Sequence, residues 1–231
     1  MHRIRTPNNA ETPGLVTGPT PVGENQEKMI DSIVATLKGV RAAEFYSAVL
    51  TPFSVAAIES IVFSWFSPTG VGPVTSPGLS TLLGSLILSI GPFVPVAYSV
   101  KTRRTDLDIS DRNKRASIYV ISMIAYAVGV VVFWATQNKI MFVLSVAYLC
   151  VGFALMLITF AWKISAHAAA TAGMATALWL VFGVWMLPVY VLAVLTIWAR
   201  VRLGAHTLSQ ALAGAIVSIG ITALVFLGLY I

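Results

Sequence analysis

The sequence has little charge. Of its 231 residues only 10% are Asp, Glu, Lys or Arg, whereas 57% are hydrophobic, and the mean hydropathy is +0.84. A typical soluble domain carries about a quarter charged residues. This composition excludes an ordinary soluble domain and predicts a protein of the lipid bilayer.

Cysteine is also nearly absent. The single cysteine, Cys150, lies in an apolar run, which excludes an internal disulfide and a metal site built on thiolates. The first 26 residues are polar and lack the apolar core of a signal peptide. We therefore predict that this segment is an unstructured tail that is not cleaved.

Long apolar segments make up most of the sequence after the N-terminal region. A transmembrane helix needs about 20 mostly apolar residues, and such segments recur along the chain. The sixth is short, and Trp185–Pro188 has the composition of a tight turn between it and the fifth. We predict an all-α transmembrane bundle of six or seven spans. The segments are 44–66, 78–100, 117–136, 140–161, 166–185, 187–201 and 208–231.

The region before the first span has a different pattern. Apolar residues recur at helical spacing between positions 29 and 40, with charged residues between them. This pattern is typical of an amphipathic helix on a membrane surface, and equally of a water-soluble extension of the next helix. We predict two parts: a polar tail with a short amphipathic helix over 1–43 and a helical bundle over 44–231.

Positive charge is distributed unevenly between the two faces of the predicted bundle. Of the 15 Lys and Arg residues, only Lys139 falls on the face opposite the N-terminus when seven spans are counted. Cytoplasmic loops carry an excess of Lys and Arg. The sequence thus predicts a multi-pass protein of the cell membrane whose N-terminal face is cytoplasmic.

Polar residues that could carry chemistry gather in three segments, 101–115, 163–167 and 200–210. Two predicted spans separate each segment from the next, so all three meet the membrane at the same face. Together they supply two histidines and several arginines, besides Ser165. Arginine neutralises phosphate, while histidine attacks phosphorus or protonates a leaving oxygen, so this set predicts phosphoryl transfer.

The order and spacing of these residues resemble a known family. Arg200, His206 and Gln210, followed by Ala-Leu-Ala-Gly, resemble the third motif of the type 2 phosphatidic acid phosphatase superfamily. Ser165-Ala-His167 is similar to its second motif, and Arg115 occupies the place of the first-motif arginine. The resemblance covers roughly residues 100–215.

The resemblance implies a role for each matching residue. It makes His206 the nucleophile that forms a phosphohistidine and His167 the general acid, with Gln210 orienting His206 in place of the family's aspartate. Phosphate would be held by the arginines and the serine of the motifs. Arg112 precedes Arg115 by about one helical turn, so both are able to face one ligand. The expected phosphate-binding residues are Arg112, Arg115, Ser165 and Arg200.

The family's first-motif lysine is replaced by Asp108, which belongs to a group of three carboxylates. Asp106, Asp108 and Asp111 are spaced suitably for holding Mg²⁺, as in membrane prenyl and alcohol-phosphate transferases, or for pairing with nearby arginines. A non-enzymatic lipid-anion binder or transporter is the third alternative. Glu59, in the first predicted span, is either functional or a buried hydrogen-bonding partner.

We expect a membrane phosphatase that acts on a lipid-linked phosphate or diphosphate, of prenyl diphosphate or phosphatidic acid type. The resemblance implies catalysis without a metal or cofactor. The partners expected are the lipid substrate and membrane lipids, with no nucleic acid.

Overall fold

The computed structural model describes residues 22–102 and 112–231, apart from the side chains of 22–25, 31, 33–35 and 112–117. These residues form helices and connecting turns, and no strand occurs among them. The chain divides into two units, with the boundary between Gly39 and Val40. Residues 1–21 of the predicted tail, 1–26, lie outside the described residues, whereas 22–26 are helical, so the prediction of an unstructured segment is wrong for its last five residues.

The protein is an all-α, multi-pass membrane protein. Among the described residues, five helices are long and apolar enough to cross a bilayer, and a bent pair would make a sixth crossing. The α-helices are α1 (Val22–Val49), α2 (Pro52–Phe66), α3 (Pro77–Gly84), α4 (Gly91–Lys101), α5 (Arg112–Ala135), α6 (Lys139–Ala161), α7 (Ala166–Phe182), α8 (Tyr190–Arg202) and α9 (Leu208–Leu229).

The first predicted span, 44–66, is not one straight helix. It is interrupted after Val49, and the two helical pieces are bent by 54°. Thr51 caps the second piece by accepting a hydrogen bond from the Ser54 N–H at 3.1 Å, and Pro52 follows at the first helical position. Both residues favour a helix start, so the sequence itself restarts the helix here. The predicted amphipathic segment belongs to α1, which is helical from Val22 to Val49. Both interpretations of that segment stay predictions.

The second predicted span contains a π-helical turn. Ser85–Ile90 joins α3 to α4, so the whole segment runs from Pro77 to Lys101. Pro95 lies within α4 and removes one backbone donor. The Ser89 hydroxyl donates to the Phe53 carbonyl at 2.7 Å, which ties this irregular segment to α2.

α7 is the most enclosed helix. It is only 17 residues long, and all of its residues from Ala168 to Leu178 are buried except Ala170. It packs mainly along α9 and also contacts α2 and α8. Its many alanines, and Gly173 beside α9, allow this close approach. The first turn of this central helix carries His167.

The bundle has two ends that the chain path identifies. α6 is 23 residues long, which corresponds to about 35 Å of helix. Asn138 precedes its first residue, and Ser165 and His167 follow shortly after its last. The 67–76 and 136–138 turns therefore lie at one end, and His167 lies at the other.

Candidate functional site

At the His167 end, helices of the bundle enclose a cavity of about 140 Å³. His167, Arg200 and His206 all lie on its wall. Arg200 is 3% exposed and His206 is 7% exposed, whereas His167 is half-buried. The structure thus brings together three of the residues that the sequence singles out for phosphate chemistry.

The turn after α8 fixes Arg200 and His206 relative to each other. The N–H groups of Ala205 and His206 both donate to the Arg200 carbonyl, at 3.1 and 3.2 Å. The turn requires Gly204 to adopt a φ of +65°, a conformation that glycine reaches without steric cost. The five-residue interval therefore closes into one compact turn.

Arg200 also contacts the end of α1. Its Nη1 donates to Ser47 Oγ at 2.7 Å, and Ser47 is itself buried. Nearby, the Tyr46 and Trp198 rings meet edge to face with centroids 6.4 Å apart. These contacts hold the guanidinium on the cavity wall.

Arg200 and His167 line a second, larger cavity as well. Its volume is about 580 Å³, and Glu44, Ser47 and Ser89 are among its lining residues. The two cavities share His167 and Arg200 as lining residues, so these side chains lie where the cavities adjoin.

Ser165 is buried and acts in helix capping. Its hydroxyl accepts a hydrogen bond from the Ala168 N–H at 3.4 Å, and its own N–H donates to the Gln210 carbonyl at 3.3 Å. Ser165 is the N-cap residue of α7. Ser165 is not among the described residues that line the cavity, so a role in holding phosphate stays a prediction.

Gln210 likewise has a capping role. Its side-chain oxygen accepts from the Thr207 N–H at 3.1 Å, while its own N–H donates to the Thr207 hydroxyl at 3.3 Å. This reciprocal pair is a capping box that starts α9. Gln210 thus stabilises the turn that carries His206, and its proposed orientation of the imidazole stays a prediction.

The inner wall of the smaller cavity contains residues that sequence reasoning missed. Tyr119, Ser122 and Tyr126 of α5 line it, together with Tyr148 of α6. The remaining wall is mostly apolar. Tyr119 and Ser122 follow Arg115 by four and seven residues, a spacing that places all three positions on one helix face. That spacing is the sequence signal that could have identified Tyr119 and Ser122 as residues of the same site.

The remaining predicted residues cannot be placed. Five of them lie outside the part of the chain that the structure describes. They are the side chains of Arg112 and Arg115, in the first turn of α5, and the residues Asp106, Asp108 and Asp111. Within the described part of the chain, no group of three His, Cys, Asp or Glu side chains has an arrangement able to hold a metal ion.

Comparison with known proteins places no constraint on these assignments. No family model matches the chain, and no curated protein or solved structure gives a significant match.

Proposed function

We propose that this protein is a divergent member of the type 2 phosphatidic acid phosphatase superfamily that hydrolyses a lipid-linked phosphate or diphosphate. The observation that carries the proposal is the presence of His167, Arg200 and His206 on the wall of one cavity. The motif order and spacing support the same conclusion.

Each of the three side chains has a chemical task in this proposal. Arg200 neutralises the phosphoryl oxygens, as guanidinium groups commonly do. His206 attacks phosphorus, forming a P–N bond as the bond to the leaving oxygen breaks, and His167 donates a proton to that oxygen. His167 then takes a proton from water, which attacks phosphorus, releases phosphate and restores His206.

The shape and lining of the cavity favour an amphiphilic substrate. Its charged and imidazole side chains lie near the end of the bundle, and aliphatic residues such as Val151 and Leu155 line much of the remainder. An apolar chain entering between helices would therefore lie against apolar walls while its head group meets Arg200. Prenyl diphosphates and phosphatidic acid both have this chemistry.

The proposal assigns Arg112 and Arg115 to the same phosphate. Position 115 shares a helix face with Tyr119 and Ser122, two residues of the cavity wall. We expect Arg115→Ala to raise KM for the lipid phosphate far more than it changes kcat for bound substrate.

We also propose that the site faces the cytoplasm of the cell membrane, because Lys and Arg are concentrated at that face. An impermeant thiol reagent tests this in a Cys150→Ser background. Thr69→Cys, in an exposed loop at the opposite end, should react in intact cells, and the exposed Ser209→Cys only after permeabilisation. The reverse pattern contradicts the orientation.

The test of the function is phosphate release from a short-chain lipid phosphate by the purified protein in detergent, with and without EDTA. We expect turnover that EDTA leaves unchanged. EDTA-sensitive turnover would favour a Mg²⁺-dependent transferase built on Asp106, Asp108 and Asp111. Binding without turnover would leave an anion-binding protein.

A further inference from the structure

A second buried polar group lies apart from the residues assigned to phosphate. Glu59 is 2% exposed and stands at the midpoint of α2, seven residues from each end. One of its carboxyl oxygens, Oε2, accepts a hydrogen bond from the Tyr148 hydroxyl. A carboxylate at such a depth is costly unless its charge is compensated.

The surroundings of Glu59 contain oxygen atoms and a small space. A cavity of about 40 Å³ is lined by Glu59, Tyr148, Ser218 and Thr222. Ser218 and Thr222 are both buried and lie one turn apart on α9. Since about 10–15 Å³ suffices for one water molecule, this space accommodates a small ion or water.

Gly173 of α7 gives the Ser218 and Thr222 hydroxyls room beside this cavity. A Cβ atom at position 173 would lie 2.6 Å from Ser218 Oγ and 3.3 Å from Thr222 Oγ1. Both hydroxyls therefore point toward the α7 backbone beside the cavity. Hydroxyl and carboxylate oxygens are the ligands that hard cations prefer.

No described residue on the wall of this cavity carries a positive charge. The titratable groups that face Glu59 are Tyr148 of α6 and, behind it, Tyr126 of α5, whose ring centroid lies 5.2 Å from that of Tyr148. The described lining residues of α7 and α9 include no titratable group. A proton or a bound cation would supply the compensating charge.

We propose that Glu59, Tyr148, Ser218 and Thr222 form an intramembrane binding site for a monovalent cation, either a proton or a sodium ion. Tyr148 lines this cavity and also the cavity of Arg200 and His206. A cation arriving from that end of the bundle therefore passes Tyr148. The site depends on α2, α6 and α9 and holds whether or not the protein is a phosphatase.

The first test uses the wild-type chain, purified in detergent without sodium. Dicyclohexylcarbodiimide adds to a protonated carboxyl group and leaves a stable mass increase that peptide mass spectrometry locates. We expect labelling of Glu59 to fall several-fold as the pH is raised. Protection by NaCl, compared with choline chloride at the same pH and ionic strength, identifies sodium as a ligand, and pH dependence alone identifies the proton. Labelling that is absent, or unchanged by both pH and sodium, overturns the proposal.

The second test compares thermal unfolding of the wild-type chain with that of Glu59→Gln, which keeps an acceptor oxygen but cannot ionise. Without sodium, raising the pH from about 6 to about 9 should lower Tm more for the wild type, because deprotonation leaves a buried negative charge. If sodium binds, NaCl should restore the wild-type Tm.

Glu27→Gln, at an exposed position of α1, is the matched control and should behave as the wild type. Equal responses of the wild type and Glu59→Gln to pH and sodium contradict the proposal. The labelling experiment decides the question even where Glu59→Gln fails to fold.

Discussion

The two ends of the bundle both bury polar side chains, but they use them differently. At the Asn138 end, hydrogen bonds join polar residues to one another. Asn138 Nδ2 donates to Ser80 Oγ at 2.9 Å and to Thr75 Oγ1 at 3.3 Å, and Ser80 pairs with Ser64 at 2.7 Å. At the other end, His167, Arg200 and His206 surround a cavity. Burying polar groups costs free energy unless they are hydrogen-bonded, so the first arrangement stabilises the fold. At the second end the polar side chains line open space, which the proposed function assigns to a ligand.

The largest expected effect is that of His206→Ala. A nucleophile is needed whatever group leaves, so we expect the loss of turnover to be at least about 10⁴-fold on both a lipid phosphate and nitrophenyl phosphate. Ser209→Ala, at an exposed position in the first turn of α9, is the control and should retain activity. Steady-state phosphate release measures both variants.

His167→Ala should have a smaller effect that depends on the substrate. A general acid contributes about 10²–10⁴-fold when the leaving oxygen is basic, as in a lipid phosphate, and much less for nitrophenyl phosphate. Assaying both substrates side by side measures this difference. Equal losses on both substrates, matching those of His206→Ala, would show that the assigned division of roles is wrong.

At the opposite end, Asn138→Ala should affect stability and leave catalysis intact. The substitution removes the side chain that links Thr75 and Ser80 and that caps α6 by accepting from the Met141 N–H at 3.3 Å. Leaving such buried groups unpaired costs about 1–3 kcal/mol, which corresponds to a fall in Tm of roughly 5 °C.

The control for Asn138→Ala is Thr69→Ala, at an exposed position of the 67–76 turn at the same end of the bundle, which should leave Tm unchanged. The two quantities to measure are Tm and kcat of the folded fraction. A fall in kcat with an unchanged Tm for Asn138→Ala would show that Asn138 acts in catalysis, which contradicts the structural role assigned to that end of the bundle.

The smallest expected effect is that of Gly204→Ala. The φ of +65° at this position costs a residue with a Cβ about 1–2 kcal/mol. The strain would fall on the turn that carries His206. We expect turnover to fall by about tenfold or less, since about 1.4 kcal/mol corresponds to tenfold in rate. The space itself is open, because no atom lies within 4 Å of the added Cβ.

Gly220→Ala is the matched control for Gly204→Ala. Position 220 lies within α9 and also has no atom within 4 Å of an added Cβ. Alanine favours a helix over glycine, so this variant should keep both Tm and turnover. An equal loss of turnover in the two variants would show that the backbone conformation of the turn at Gly204 is not the cause of the loss.

Much of the fold follows from the sequence alone. Apolar length places α6 within one residue of the predicted segment 140–161, because a spanning helix must be apolar over its whole length. The Thr51-Pro52 pair is a local signal for a helix start at Pro52. A prediction from the length of the apolar segment alone does not detect it. The π-turn at Ser85–Ile90 had no comparable signal, because it depends on packing against α2.

The site is less predictable, because spacing places residues but does not say what their side chains contact. An even number of spans between segments brings His167 and Arg200 to one end. The family resemblance also implied that Gln210 orients His206, although Thr207-x-x-Gln210 is a recognisable capping box. The Tyr148–Glu59 hydrogen bond joins residues 89 positions apart, and nothing in the local sequence of either residue indicates the other.

The most direct test of the central claim is detection of the phosphohistidine. In His167→Ala, an activated phosphate ester should still phosphorylate His206, whereas hydrolysis should slow because it needs a base. After rapid quenching at alkaline pH, we expect an acid-labile phosphoryl group on the peptide that contains His206, and none in the double variant His167→Ala/His206→Ala. Absence of a phosphoenzyme, or a phosphoryl group on another residue, would contradict the account.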